Sequence, residues 1–412
     1  KHLFKATPTT GWWEGRSIVY PALLYGSTIL FGYNELIIRI VNLLFGLGFT
    51  LSSYYLIKEL FGRKYAVISG FITASQWVFL YWSLRITIGV PSALFLTLSA
   101  LLFLKKDYKL NLLSGALLGL AFTIRFTAGI AGIAYLAYNL VSKKFRLKDY
   151  YWVIGVLIGA APLMIYDLVV YANPLHSPLE FLRFNLSASG GSQAGSQFYY
   201  LMSMLVNYGL VMGLIVFLGF ISLVFKLKNK KVLFTAIYLV TFISFYSLIT
   251  SVKELRFLIH LLPLMAATSV LGANLIISSL VKRKRLVKYV LATVMVLIVI
   301  ENLPSAYNNI NAVKDSYLEV KQAGRFLRDY DGRVMSNSVP QITYYSENPT
   351  YNFPSNETAF IQEASDYSFV MVSAYESHPE YTYTLNHSFL VPIKAYPSPQ
   401  DARLVIYQVQ EQ

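Results

Sequence analysis

The chain has 412 residues, of which 55% are hydrophobic and 14% charged, and its mean hydropathy is +0.49. This composition excludes an ordinary soluble domain, in which about a quarter of the residues are charged. The absence of cysteine excludes disulfide bridges and thiolate metal sites, and the five histidines are too scattered for a metal-ligand motif.

The formal net charge of +14 belongs to the first three quarters of the chain. Before Leu303 there are 28 Lys and Arg against 9 Asp and Glu, whereas from Leu303 onward there are 7 and 12. A basic excess in the loops of an apolar chain is a membrane topology signal. We therefore infer no nucleic-acid partner.

The N-terminal segment from Thr10 to Phe31 is neither a full membrane span nor a polar loop. Its aromatic residues alternate with Leu and Ile, which predicts a helix lying in the membrane interface. The chain begins at Lys1 without a signal-peptide pattern, so we expect it to be truncated at the N-terminus.

Ten apolar segments follow, and most are long enough to cross a bilayer as helices. They are Leu36–Ile57, Tyr65–Trp82, Ile88–Leu104, Leu110–Ile124, Phe126–Val141, Tyr150–Tyr171, Phe198–Phe225, Val232–Ile249, Phe257–Val281 and Leu286–Ile300. The fourth and fifth are short, which predicts a tight hairpin that turns near Arg125.

The loops between these segments predict the orientation, because Lys and Arg stay on the cytoplasmic side during insertion. Alternate loops carry 19 Lys and Arg, and the intervening loops carry 5. We therefore expect the N-terminal segment, the loop from Ala172 to Gln197 and everything after Leu303 to lie outside the cytoplasm.

From Pro304 the apolar runs shorten and acidic residues outnumber basic ones. Val313 to Tyr330 has the pattern of an amphipathic helix. Four short segments are predicted strands: Arg333–Ser336, Phe369–Ser373, Phe389–Ile393 and Leu404–Val409. The predicted fold is an all-α multi-span membrane domain at residues 35–303, preceded by an outer loop at 1–34 and followed by a small extracytoplasmic α/β domain at 304–412.

Charged residues beside membrane spans are costly to bury, so each one is a candidate site residue. The run from Val252 to Leu258 places Lys253, Glu254 and Arg256 at the outer end of a span. Two cations at head-group depth suit a lipid-linked phosphate. The alternative is a charged pair that only anchors the helix end at the interface.

The segment Lys253 to Pro263 resembles the outer-loop signature of membrane glycosyltransferases of the GT-C superfamily, which is rich in Glu, Arg, Phe and Leu. Gly11 to Phe31 resembles the end of the first outer loop in the protein O-mannosyltransferases and aminoarabinose transferases (glycosyltransferase family 39). Arg85 to Ala93 resembles the second outer loop of that group, and the C-terminal pattern is similar to the tail domain of its bacterial and archaeal members.

This resemblance implies an inverting transferase in the cell membrane that takes a sugar from a polyprenyl-phosphate donor at the outer face. The acceptor would be a protein, a lipid or a glycan. The residues expected to hold the lipid phosphate are Lys253, Arg256, Arg85 and Arg16, with Glu254 in support. The acids expected to activate the acceptor are Glu14, Asp167 and Glu180.

Two features depart from the family pattern. The stretch that usually carries the key acid of the first outer loop is absent, and Gly89 stands where an acid commonly precedes Val-Pro. An incomplete or inactive enzyme is therefore retained as an alternative. Spans interrupted by Gly and Pro, such as Leu112 to Ala137, favour a secondary transporter or flippase-like protein instead, and a non-catalytic scaffold or receptor is the third alternative. A divalent cation bridging Glu14 and a phosphate is also left open.

Overall fold

The computed structural model describes residues 15–32, 34–105, 107–142, 147–187, 196–206, 210–250, 253–280, 284–315 and 317–410. Contacts divide the chain into two units: the first runs from Gly15 to Ile310, and the second contains the chain from Asn311 onward.

The first unit is built from helices. Its α-helices are α1 (Val19–Phe31), α2 (Glu35–Phe61), α3 (Arg63–Ser75), α4 (Trp77–Ser83), α5 (Gly89–Phe103), α6 (Tyr108–Ile124), α7 (Ile130–Ser142), α8 (Tyr151–Tyr171), α9 (His176–Ser187), α10 (Tyr199–Val206), α11 (Leu210–Val224), α12 (Lys230–Leu248), α13 (Leu262–Leu280) and α14 (Lys284–Ala312). Short 3-10 helices at Phe126–Gly129, Leu147–Tyr150 and Leu255–Leu261 precede α7, α8 and α13.

Four helical segments are long and apolar enough to cross a membrane, judged by length and composition over the described residues. They are Glu35–Phe61, Leu147–Tyr171, Lys230–Leu248 and Leu255–Asn274. Shorter apolar helices accompany them, and α2 and α8 leave many Leu, Ile and Val side chains exposed, as a lipid-facing surface requires. The count of ten spans stays a prediction.

Small residues let α6 and α8 pack closely. A Cβ atom added to Gly155 would lie 2.0 Å from the Leu112 carbonyl oxygen, and one added to Gly115 would lie 1.9 Å from that of Trp152. Backbones approach this closely only where no side chain intervenes, as in other membrane helix pairs. The α-helix ends at Arg125, which lies between α6 and the 3-10 helix at Phe126–Gly129. α6 packs against α5 and α8, whereas α7 packs against α12, so the two helices do not form the tight hairpin that was predicted.

α12 carries a row of buried aromatic rings in the core of the first unit. Phe234, Tyr238, Phe242 and Tyr246 follow one another at four-residue intervals, and each is at most 2% exposed. The Tyr246 ring lies 5.5 Å from the ring of Phe257. This row supports the segment that carries the charged outer-loop signature.

The second unit is the predicted α/β domain. It contains α15 (Leu318–Leu327), α16 (Val339–Ser346) and α17 (Glu357–Glu363), together with β1 (Val334–Met335), β2 (Thr350–Tyr351), β3 (Phe369–Ser373), β4 (Leu390–Tyr396) and β5 (Leu404–Val409). The sheet order is β2-β1-β3-β5-β4, parallel where β1 pairs with β2 and β3 and antiparallel in the other two pairs.

The four predicted strands are present, and a fifth strand, β2, was not predicted. The predicted helix at Val313–Tyr330 is shorter in the structure. Tyr317 has a left-handed backbone with φ of 63°, so α15 starts at Leu318. Left-handed conformations do not continue into a right-handed helix.

Candidate functional site

A cavity of about 390 Å³ brings part of the predicted site together. Its lining residues come from α4, α10, α14 and the segment between α12 and α13. They are Trp77, Tyr81, Trp82, Tyr199, Lys253, Glu254, Leu255, Arg256 and Asn309. Three charged residues of the outer-loop signature therefore face one aromatic-walled space.

Arg256 is paired with Glu254 in this cavity. Nη2 of the guanidinium donates to Oε1 of Glu254 at 2.9 Å, and Nε contacts Oε2, so the pairing is bidentate. About a third of each side chain is exposed. The guanidinium carbon of Arg256 also lies 5.0 Å from the ring of Trp82. The pair is therefore aligned by the aromatic wall and remains open to a ligand.

Arg85 approaches the same tryptophan from the end of α4. Its guanidinium carbon lies 4.3 Å from the Tyr81 ring and 5.8 Å from the Trp82 ring. The turn that carries Arg85 is held by Asn42 of α2, whose Nδ2 donates to the carbonyls of Ser83 at 2.9 Å and Arg85 at 2.6 Å. Two guanidinium groups thus flank Trp82.

Lys253 lines the cavity, but its ammonium group is already occupied. Nζ donates to the carbonyl oxygens of Tyr246 at 2.7 Å and Ser247 at 2.8 Å, and to that of Thr250. Burial lowers the pKa of Lys253 below its usual range. An ammonium group has three N–H donors, and all three bind the C-terminal end of α12. In this structure Lys253 holds the segment in place.

Arg125 lies beside Arg256 and Phe257 but does not line the cavity, and its place in the sequence predicted only a hairpin turn. Its guanidinium carbon lies 4.4 Å from the ring of Phe257, and Nη1 donates to the Arg256 carbonyl at 3.5 Å. Among the ion pairs found in the described residues, none involves Arg125. The signal in the sequence was a lone Arg between two apolar segments.

The other predicted acids lie elsewhere. Asp167 is fully buried and accepts two hydrogen bonds from Ser177, from N at 2.8 Å and from Oγ at 2.7 Å. It therefore stabilises the start of α9. Glu180 pairs with exposed Arg183 on the same helix. Neither acid lines the cavity.

Two predicted residues remain at the N-terminus. Arg16 is exposed and is not a lining residue, and Glu14 lies outside the described residues. Across the described segments, no group of three His, Asp or Glu side chains is placed to hold a metal ion.

The comparisons with known proteins identify the family and the fold. A sequence model of the Alg9-like mannosyltransferase family matches residues 13–359 of the 412. The chain belongs to the Alg9-like mannosyltransferase family. Membership makes the protein a membrane glycosyltransferase and confirms the predicted GT-C superfamily. No curated protein sequence matches this chain.

Solved structures share the fold. ArnT from Cupriavidus metallidurans, in a crystal structure bound to undecaprenyl phosphate, is 13% identical with a TM-score of 0.67, covering 97% of this chain and 90% of ArnT. The archaeal oligosaccharyltransferase AglB from Archaeoglobus fulgidus, in complex with an inhibitory peptide and a dolichol-phosphate, is 13% identical with a TM-score of 0.57, covering 90% of this chain and 62% of AglB. The Alg9-like chain therefore has a GT-C fold.

Proposed function

We propose that this protein transfers a sugar from a polyprenyl-phosphate donor to an acceptor at the outer face of the membrane, with inversion at the anomeric carbon. The observation that carries the proposal is the placement of Arg256 on Trp82 in an open cavity, with the guanidinium of Arg85 beside the same ring. Guanidinium groups bind phosphate oxygens through paired hydrogen bonds, and aromatic neighbours keep them aligned.

The charge balance around the cavity supports a phosphate ligand. Lys253 and Arg256 line the cavity, and Glu254 is the only carboxylate among the lining residues. Arg85 and Arg125 lie outside the lining, each beside an aromatic ring that Arg256 also approaches. Such an excess of positive charge is unfavourable without an anion. A lipid-linked phosphate supplies that anion, and the structures of ArnT and AglB contain bound undecaprenyl phosphate and dolichol-phosphate, respectively.

The chemistry requires a proton acceptor as well as cations. In a single displacement, the acceptor oxygen attacks the anomeric carbon from the face opposite the phosphate, which inverts the configuration. The cations stabilise the charge that develops on the leaving phosphate, and a carboxylate takes the acceptor's proton. Glu14 of the N-terminal segment and Glu254 of the cavity are the two candidates for this base.

The topology of the chain supports an outer site. The basic residues are concentrated in alternate loops, which leaves the loop around Arg256 and the domain at residues 304–412 on the extracytoplasmic side. We propose residues 1–34 as an outer loop and residues 35–303 as the membrane domain.

The test is transfer of labelled sugar from a polyprenyl-phosphate donor to membrane acceptors by the purified protein in lipid vesicles. Arg256→Ala should lower the transfer rate about 100-fold, the loss typical of one charge-stabilising donor. Arg183→Ala is the matched control, because Arg183 forms an exposed ion pair on α9. Equal transfer by wild type and Arg256→Ala would contradict the site.

A further inference from the structure

The carboxylate of Glu254 is bound to the Arg256 guanidinium, the group that a phosphate would bind. Its two carboxylate oxygens contact two nitrogens of Arg256, the same forked arrangement that a phosphate adopts with a guanidinium. Arg256 is therefore neutralised by a residue two positions before it. A donor can use this guanidinium only if the carboxylate leaves.

The neighbouring cations favour that exchange. Arg85 and Arg125 form no ion pair with an acid of the described residues. Lys253 is engaged by carbonyl oxygens, and within the described part of the chain Arg125 donates only to the Arg256 carbonyl. An arriving phosphate is therefore attracted by these two guanidinium groups in addition to Arg256. The Glu254–Arg256 pair, by contrast, is about one-third exposed, and ion pairs screened by water are weak.

The Glu254 side chain can change its conformation while the backbone of the loop stays in place. Its N–H donates to the Tyr200 hydroxyl at 3.2 Å, and Tyr200 itself is fully buried. The residue has an extended backbone, with φ of −140° and ψ of 140°, just before the 3-10 helix. Rotation about the side-chain bonds is enough to swing the carboxylate from Arg256 into the cavity.

We propose that the donor phosphate replaces Glu254 on Arg256, and that the released carboxylate takes the proton of the acceptor. This inference rests on the proposed function. The acceptor oxygen forms the new bond to the anomeric carbon, and the bond from that carbon to the phosphate oxygen breaks. The bonding electrons leave with the polyprenyl phosphate, and the acceptor proton goes to Glu254. Donor binding itself thus creates the free base.

The experiment compares Glu254→Gln and Glu254→Asp with wild type in two measurements: equilibrium binding of polyprenyl phosphate, and single-turnover transfer from the sugar-loaded donor. Glu254→Gln should bind polyprenyl phosphate several-fold more tightly, because Arg256 no longer has a competing anion. Its transfer rate should fall about 100-fold or more, the contribution typical of a general base. Glu254→Asp should recover part of the transfer rate.

Glu347→Gln is the control, since it removes a carboxylate from an exposed ion pair with Arg328 in the second unit and should change neither measurement. Weaker binding together with slower transfer in Glu254→Gln would show that the carboxylate only positions Arg256, and would overturn the exchange. Unchanged transfer would overturn the role as base. If the wild type transfers no sugar, the proposed function is wrong. The comparison of polyprenyl phosphate binding then tests by itself whether the phosphate replaces Glu254 on Arg256.

Discussion

Tyr20 and Asn42 are joined across α1 and α2: the tyrosine hydroxyl donates to Oδ1 of Asn42 at 3.2 Å. The amide of Asn42 then donates to the carbonyls of Ser83 and Arg85. Asn42 is fully buried, so both ends of its side chain are used inside the protein. Through this chain of hydrogen bonds, α1 and α2 fix the turn that presents Arg85.

Asn42→Asp should therefore weaken the binding of polyprenyl phosphate. The substitution keeps the acceptor for Tyr20 but places a carboxylate oxygen against two carbonyl oxygens, which costs about 1–3 kcal/mol for each unsatisfied group. Tyr20→Phe, which removes one hydrogen bond, should have a smaller effect. Binding titrations with both variants check this, and equal affinities for Asn42→Asp and wild type would contradict it.

Arg125→Ala should lower the affinity for polyprenyl phosphate by about tenfold to a hundredfold, because a hydrogen bond to a charged group contributes roughly 1.5–3 kcal/mol. The ligand-free protein should become more stable to heat, since an unpaired guanidinium near a second one is unfavourable. Arg39→Ala, which breaks an exposed ion pair on α2, is the control. Reduced stability without reduced affinity would identify Arg125 as a packing residue.

Lys253→Met should mainly lower stability. Its ammonium group binds the last carbonyls of α12, so the substitution removes three hydrogen bonds from a helix end. We expect a lower melting temperature in lipid vesicles, and an affinity for polyprenyl phosphate that falls less than in Arg256→Ala. A larger loss of affinity than in Arg256→Ala would make Lys253 a direct phosphate ligand.

Gly155→Leu should separate α6 from α8. The nearest atom to an added Cβ is the Leu112 carbonyl oxygen at 2.0 Å, which is backbone and does not yield. Overpacking typically costs about 1–3 kcal/mol, and here the melting temperature should drop sharply. Gly26→Ala in α1 is the matched control, because an added Cβ there meets nothing within 4 Å. Equal melting temperatures for the two variants would contradict the packing.

The second unit should lose stability in weak acid through His378. Nε2 of this side chain contacts the Ser373 carbonyl at 2.7 Å, and burial lowers the pKa of the imidazole below its usual value of 6.5. The unfolded chain then binds a proton more readily than the folded one. Stability is therefore complete above pH 6.5 and decreases as the pH falls below that value.

Hydrogen exchange of the β3 amides in the full chain at pH 7.5 and 5.5 measures this effect. Faster local opening is expected at pH 5.5, after correction for the intrinsic exchange rate, and His378→Asn should reduce the difference. An equal pH response in wild type and His378→Asn would assign it to other groups.

The sequence alone determined the properties that depend on residues close to one another along the chain. Long apolar runs indicated a helical membrane protein, and alternating patterns after Pro304 located four of the five strands of the second unit. The charged run at Lys253 to Arg256 indicated where chemistry occurs, because three charges at the end of an apolar span need a reason to be there.

Only the tertiary structure decided what each charge contacts. Arg125 and Arg256 are 131 residues apart, and no local pattern relates them. Lys253 and Asp167 were predicted site residues. In the structure, Lys253 donates to carbonyl oxygens at the end of α12, and Asp167 accepts from the N–H group and the hydroxyl of Ser177 at the start of α9. A buried polar group bonds to whatever donors and acceptors the folded chain brings to it, at a nearby helix end or on a distant segment, and residue type and spacing do not specify these.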